Sequence, residues 1–259
     1  FSLSFFLLNL SYSNTLGELK ICALRVSFPI DDDLSTSGDG GFLMSPEGID
    51  CGTLTVDPPP HDRPYFLSQI KAVSEYYNSV SYGKFKIDLD GSEVYPIDKD
   101  GSYILDSSMS FYNPYDDTTN TERRITELFI DAVEKAYEVD SINIEDFDLI
   151  VIFHAGIGQD FSLPFLDPTP EDIPSTYVDD KMIKDYLDGY DFTLNGHQIS
   201  HGIILPETQN HLHYDISFDM FSDASFPCDY QYGLTGTFAL MMGFAIGLPP
   251  PVSYTHLTL

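Results

Sequence analysis

Few residues in this chain combine a reactive or metal-binding side chain with a spacing that suits a functional site. The first candidate is a pair of histidines. His211 and His213 are two residues apart, so a β-strand would place both side chains on one face. Such a pair can ligate zinc. Asp215 continues the alternation, and His197 and His201 lie nearby in sequence. A polar surface loop is the simpler interpretation, and the pair is retained as an alternative metal site.

Two short Asp-rich segments resemble calcium-binding loops. Residues Asp88 to Gly91 have the sequence DLDG, and residues Asp98 to Gly101 have the sequence DKDG. Both lack the spacing and the distal Glu of an EF-hand, and ordinary turns explain them. Calcium is therefore a weak cofactor candidate. The sequence contains neither a Gly-x-Ser-x-Gly nucleophile elbow nor a phosphate-binding loop ending in Gly-Lys-Ser or Gly-Lys-Thr.

The charge balance limits the classes of partner. The 259 residues include 41 acidic and 12 basic side chains, which gives a formal net charge of −29. Such a surface repels nucleic acid and anionic lipid, so neither is expected as a partner. Hydrophobic residues make up 42% of the chain, enough for a folded core despite the charge.

The elements that must position these residues alternate between strands and helices. Continuous runs of apolar residues predict strands. Apolar residues that recur every three or four positions predict helices. The predicted strands are Leu19–Phe28, Phe147–Phe153 and Gln198–Leu205, the predicted hairpin is Lys84–Ile97, and the predicted helices are Tyr65–Val80, Glu122–Tyr137 and Leu234–Leu248. The last of the three strands is a candidate edge strand. This order predicts an α/β (α+β) domain in which helices pack on a mixed, twisted sheet.

The three cysteines allow one disulfide bond. Cys51 and Cys228 lie in turn-like polar surroundings and form the candidate pair, whereas Cys22 lies in an apolar strand pattern and is predicted to be buried. The sequence alone leaves the connectivity open.

The two ends of the chain differ from its middle. Residues 1–16 begin with ten mostly apolar residues, which are too few to span a bilayer and are typical of a signal-peptide remnant. This predicts a secreted or cell-surface protein. Residues 252–259 (VSYTHLTL) look like a translated sequencing adapter, so we expect them to be an artefact and exclude His256 from chemistry.

The segment from Gly236 to Pro250, GTFALMMGFAIGLPP, resembles the active-site helix of the immune inhibitor A family of zinc metallopeptidases. In that family H-E-x-x-H is followed by x-x-Gly-Leu-Pro. Its two His residues, one helical turn apart, bind zinc, and the Glu activates the zinc-bound water.

The resemblance implies that this helix has lost its chemistry. The first His of the motif falls at Leu240, the Glu at Met241, the second His at Phe244 and the expected acidic ligand at Pro250. None of these residues offers a donor suited to zinc. We therefore expect no zinc, no general base and apolar side chains that pack into the core.

Other segments extend the resemblance over Leu19 to Pro250. Val151 to Phe161 (VIFHAGIGQDF) is similar to the family's His-Ala-Gly strand, Ser74 to Gly83 (SEYYNSVSYG) to its first helix and turn, and Ile204 to Glu207 (ILPE) to the strand bordering its cleft. His154, within the first of these, is predicted to be structural. The resemblance implies a zincin-like domain over residues 17–251, with a degenerate active-site helix at about 234–248.

The favoured hypothesis is an exported, non-catalytic relative of these peptidases. It would bind a peptide or protein along the former cleft or have a structural role in a surface protein. One alternative is an active extracellular zinc metalloendopeptidase with relocated ligands, His211 and His213. A second is a calcium-stabilised acidic adhesion module. The sequence specifies neither the partner nor the oligomeric state.

Overall fold

The computed structural model describes residues 17–115, 120–160, 167–214 and 227–248. Residues 1–16, predicted to be a signal-peptide remnant, lie outside the described residues, as do Asp215, Pro250 and residues 252–259, predicted to be an adapter-derived artefact. The strands are β1 Gly17–Leu19, β2 Ile21–Ser27, β3 Phe85–Ile87, β4 Glu93–Tyr95, β5 Tyr103–Ile104, β6 Leu149–Ile157, β7 Thr176–Val178, β8 Thr193–Leu194, β9 His197–Gln198 and β10 Gly202–Thr208. The helices are α1 Arg63–Val80, α2 Met109–Tyr112, α3 Thr121–Asp140, α4 Asp180–Tyr186 and α5 Leu234–Ala245.

A mixed sheet forms the centre of the domain. Its strand order is β4-β2-β6-β10-β7, and β5 also pairs with β2. All neighbouring pairs are parallel except β10 with β7, which is antiparallel. Every residue of β2, β6 and β10 is buried, as expected for parallel strands covered on both faces. The predicted α/β class with a mixed sheet is confirmed.

Helices cover both faces of this sheet. Alternate residues of β6 point to opposite faces, so Val151 and Phe153 join the core beneath α1 and α5, whereas Ile150 and Ile152 join the core beneath α2, α3 and α4. The result is a three-layer arrangement, helices on sheet on helices.

The cap, the first turn and the buried face of α1 agree with the pattern in the sequence. Asp62 caps α1 by accepting a hydrogen bond from the Tyr65 N–H, and Pro64 lies in the first turn. Its buried residues, with apolar members at three- and four-residue spacings, are Phe66, Gln69, Ile70, Val73, Ser74 and Tyr77. None of the described helices is both long enough and apolar enough to cross a bilayer.

The predicted hairpin over Lys84–Ile97 is wrong. β3 pairs with β1 in a separate two-stranded sheet, whereas β4 pairs with β2 in the main sheet. The side chain of Ser92 redirects the chain between them, because its Oγ accepts from Ile21 N at 2.9 Å and donates to Asp88 O at 2.6 Å. The tertiary contact with β2 therefore outweighs local pairing.

The candidate edge strand is also placed differently. β10 begins at Gly202 and lies inside the sheet, between β6 and β7. The three-residue strand β7 occupies the edge instead. β10 is buried along its whole length, which suits an interior position better than an edge.

The candidate disulfide bond is confirmed. Cys51 and Cys228 are bonded across a sequence separation of 177 residues. Cys22 is a free thiol buried in β2, as predicted. The bond joins the 3-10 turn at Gly52–Leu54 to the 3-10 turn at Pro227–Asp229 that precedes α5.

Candidate functional site

Helix α5 is fixed by a hydrogen bond at its N-terminus and by the packing of one face. At its N-terminus, Leu234 N donates to Asp57 Oδ2 at 2.7 Å. Leu234, Phe238 and Met242 are fully buried against the sheet. On the side facing α1, Tyr77 Oη donates to Ala239 O at 2.7 Å. These contacts leave the remaining faces of α5 without a layer above them among the described residues.

The residues at the aligned motif positions lie mainly on that outer side. The Leu240 side chain is 43% exposed, and Met241 and Phe244 are half-buried. Leu240 and Phe244 line an open groove of about 320 Å³ between α5 and α1. The expectation that these apolar residues fill the core is wrong for Leu240, because α5 is an outer-layer helix that buries one face only.

Glycine lets α1 and α5 approach closely. A Cβ at Gly243 would lie 3.1 Å from Tyr77 Oη. Gly247, at φ +80°, then ends the helix in the left-handed region, and Leu248 N donates back to Gly243 O at 2.8 Å. Gly243 and Gly247 therefore have structural roles, the first in the packing of α5 against α1 and the second in ending the helix.

The histidine pair does not form the predicted geometry. His211–Tyr214 is a 3-10 turn and not a strand. At three residues per turn, His211 and His213 point in directions about 120° apart. His213 Nε2 lies 2.7 Å from Asp57 O and 3.0 Å from Val56 O, so it donates to backbone carbonyls.

The remaining metal candidates also have structural roles. Asp88 Oδ1 accepts from the backbone N–H groups of Asp90 and Gly91, which makes a local turn. In the second Asp-rich segment, the carbonyls of Asp98 and Lys99 accept hydrogen bonds from the buried Arg25 guanidinium. Among the described residues, no group of three or more His, Cys, Asp or Glu is placed to hold a metal ion.

His154 behaves as predicted for a structural residue. It is fully buried in β6, and its Nδ1 donates to Ala155 O at 2.9 Å. Burial, the largest cause, lowers the pKa of His154 despite nearby acceptors and acidic charges. The side chain is therefore neutral near pH 7.

Sequence reasoning missed a buried polar network around Glu207, near the carboxyl end of β10. The Glu207 side chain is 0% exposed. Its Oε1 accepts from Gly156 N at 2.7 Å and from the Tyr214 hydroxyl at 2.5 Å. Its Oε2 accepts from Leu43 N at 2.8 Å and contacts His61 Nδ1 at 2.6 Å. Four donors therefore surround one carboxylate.

His61 carries the compensating charge. Its Nδ1 faces Glu207 Oε2, and its Nε2 faces Asp57 O at 2.8 Å, so both ring nitrogens must donate. Burial alone would lower the pKa of His61, but the hydrogen bond and charge of Glu207, with help from Asp57, raise it. The signal available in the sequence was a Glu at the end of an apolar strand, because a buried charge needs a partner.

Asp172 is a second buried carboxylate at this end of the sheet. Its Oδ1 accepts from Ser37 N at 2.7 Å and from Ser37 Oγ at 2.9 Å. Burial raises the pKa of Asp172 to about 7, although the hydrogen bonds from Ser37 oppose the shift. The folded protein therefore retains a proton on Asp172 at pH values where the unfolded chain has lost it.

This shift predicts a pH-dependent stability that Asp172→Asn removes. The contribution of Asp172 is fully present below its ordinary pKa of 3.8 and is lost as the pH rises through about 7. The wild type should lose up to about 4 kcal/mol relative to Asp172→Asn over this interval. Urea unfolding at pH 4 to 8 measures the difference, with the exposed Asp32→Asn as control. Parallel pH profiles for the wild type and Asp172→Asn would contradict the prediction.

Comparisons with protein-family models, with curated proteins and with solved structures find no match to this chain.

Proposed function

We propose that this chain is a non-catalytic, zincin-like domain, exported from the cell, that binds an apolar segment of a peptide or protein. The observation that carries the proposal is the position of Leu240 and Phe244. Both occupy aligned zinc-ligand positions, and both line the open groove between α5 and α1. Their side chains offer van der Waals contact and no lone pair to a metal.

The arrangement of the resembling segments supports the peptidase-like part of the proposal. These segments are far apart in the sequence, but β6 pairs with β10, and α1 contacts α5 on one face of the sheet. Tyr77, from the segment similar to the family's first helix, bonds directly to α5 through Ala239 O. Short matches that arose by chance would not be expected to occupy one contiguous region.

The chemistry of the groove supports apolar binding. Leu240 and Leu248 are 43% and 45% exposed, and Tyr76 on the opposite wall is 51% exposed. When an apolar side chain of a ligand covers these surfaces, the binding free energy becomes more favourable by about 25 cal/mol per Å² of buried apolar area. The described lining residues include no charged side chain, so shape and apolar contact decide what binds.

Leu240→Asp should therefore weaken peptide capture while leaving the fold intact. The probe is a set of dodecamer peptides selected on the wild type from a random phage-displayed library, and we expect Leu, Phe or Tyr to be enriched at one position. A charge in the groove should weaken their binding about 10- to 100-fold, the equivalent of losing one buried apolar side chain. Fluorescence anisotropy gives the dissociation constants.

Val139→Asp is the matched control, because Val139 is 59% exposed on α3, across the sheet from the groove. It should leave peptide affinity unchanged. Zinc content after incubation with zinc chloride, and hydrolysis of labelled casein, test the non-catalytic part separately. Stoichiometric zinc together with proteolysis would refute that part, and equal peptide binding by wild type and Leu240→Asp would refute the assigned groove.

A further inference from the structure

The apolar groove between α1 and α5 has walls made of helix. Its described lining residues belong to these two helices, except Leu248, which lies just beyond the end of α5. The backbone N–H and C=O groups of a helix pair along its own axis, so neither wall offers the open edge to which a β-strand binds. A segment that enters the groove must therefore satisfy its backbone hydrogen bonds without help from the walls.

An α-helix meets this requirement, because it forms its backbone hydrogen bonds internally. An extended segment would lose water from its N–H and C=O groups on entering the groove and would gain no strand partner in exchange. Helices that bind grooves insert apolar side chains at positions i, i+3 or i+4, and i+7. The groove follows α5 from Gly236 to Phe244, a length of about 12 Å, which accommodates the span of about 10 Å between the first and last of these positions.

The floor of the groove is shaped for the close approach of a helix. Gly236, Ala239 and Gly243 follow one another at spacings of three and four, so they form a row of small side chains on one face of α5. A Cβ on Gly236 would meet none of the surrounding residues within 4 Å, so the space above it is open. Leu240 and Phe244 form the neighbouring ridge. A docked helix therefore has room to lie over the small residues and to pack its apolar side chains against that ridge.

Helices α1 and α5 run in the same direction on either side of the groove. Thr235, at the start of α5, donates its hydroxyl hydrogen to Gln69 Oε1 at 2.6 Å. Further along both helices, the Tyr77 hydroxyl donates to Ala239 O at 2.7 Å. The two C-termini therefore lie at the same end of the groove, where the helix dipoles place partial negative charge.

No basic residue offsets this partial charge within the two helices. Neither α1 nor α5 has Lys, Arg or His in its last turn. Lys84, the first basic residue after α1, does not line the groove. Helix α5 contains no charged residue, and the chain as a whole has a formal net charge of −29. A partner with positive side chains beside its apolar stripe is therefore attracted to the groove and meets no cation on α5.

We propose that the segment bound by the groove is a basic amphipathic helix. Its apolar side chains, at positions i, i+3 or i+4, and i+7, enter the groove, and flanking Lys or Arg side chains face the C-terminal ends of α1 and α5. The inference rests on the proposed function, because it specifies the conformation and charge of the segment that the groove binds. An extended or proline-rich segment is the alternative outcome of the test.

The tightest-binding dodecamer selected on the wild type is the probe for conformation. Proline at a non-anchor position between its apolar anchors should weaken binding at least tenfold, because proline breaks a helix, whereas alanine at the same position should keep binding within twofold. A lactam bridge between two outward-facing positions four residues apart should tighten binding at least threefold, because it fixes the helix before binding. Fluorescence anisotropy gives the dissociation constants.

Two matched valines test the charge. Val80 is the last residue of α1, one turn beyond Tyr76, and is 53% exposed, whereas Val139 is in the last turn of α3, across the sheet, and is 59% exposed. At low ionic strength Val80→Lys should weaken binding of the dodecamer at least threefold, because it places a cation at the end of the groove. Val139→Lys should leave binding unchanged, although it alters the net charge by the same amount.

Equal binding by the proline and alanine peptides, or apolar anchors at every second position, would overturn the helix while leaving peptide binding in the groove intact. Equal weakening by Val80→Lys and Val139→Lys would show attraction by net charge alone and overturn the charge match. Selected dodecamers that bind the wild type and Leu240→Asp equally would refute the assigned groove and this inference with it.

Discussion

Replacement of Glu207 by alanine is expected to lower the free energy of unfolding by about 3–5 kcal/mol, because it leaves a buried charge without its partner. The His61 imidazolium, which is 0% exposed, would lose the carboxylate 2.6 Å from its Nδ1. The N–H groups of Leu43 and Gly156 would lose their acceptor in the same change. Each unsatisfied donor adds about 1–3 kcal/mol of desolvation cost unless water enters.

Urea unfolding at pH 7 measures this loss. The exposed Glu75→Ala on α1 is the control, and it should change the stability by no more than about 0.5 kcal/mol. Domains of this kind are stable by about 5–15 kcal/mol, so Glu207→Ala removes a large share of the total stability. Tyr214→Phe then tests the same network with one hydrogen bond removed, at an expected cost of about 1 kcal/mol. A Glu207→Ala protein as stable as Glu75→Ala would contradict the role of the network.

Removal of the disulfide bond is expected to have the second-largest effect. Cys51 and Cys228 are 177 residues apart, and closing so long a loop restricts the unfolded chain strongly. The chain-entropy model gives about 5 kcal/mol for this loop, and measured values usually lie between about 2 and 5 kcal/mol. Cys51→Ser with Cys228→Ser should therefore lower the free energy of unfolding by an amount in that range.

The loss should be greatest near α5. Gln231 bonds to Leu54 O, Val56 N and Cys228 O, so the two disulfide-linked turns are joined by hydrogen bonds as well. Hydrogen exchange should show faster opening from Pro227 to Leu234 in the double variant than in the wild type. Cys22→Ala serves as control, because Cys22 is a free thiol. If dithiothreitol lowers the stability of the double variant as much as that of the wild type, the disulfide is not the cause.

Local patterns were sufficient for the elements that depend on neighbouring residues. The stripe from Phe66 to Tyr77 predicted α1, and the apolar run from Phe147 predicted β6, because a helix or a buried strand imposes its own periodicity on consecutive residues. Both of these inferences used information contained in a short window of sequence. The polar surroundings of Cys51 and Cys228 made them the candidate pair, but the connectivity was open until the structure showed the bond.

Tertiary structure alone decided which residues meet. His61 and Glu207 are 146 residues apart, and no local pattern pairs them. The hairpin prediction was wrong because the chain around Ser92 bonds to Ile21, about seventy residues earlier. Leu240 was expected in the core because α5 is apolar on most sides, but a helix in an outer layer buries only the face that touches the sheet. The sequence by itself determined the main helices and the buried strands, whereas packing between distant segments determined the groove and the buried charges.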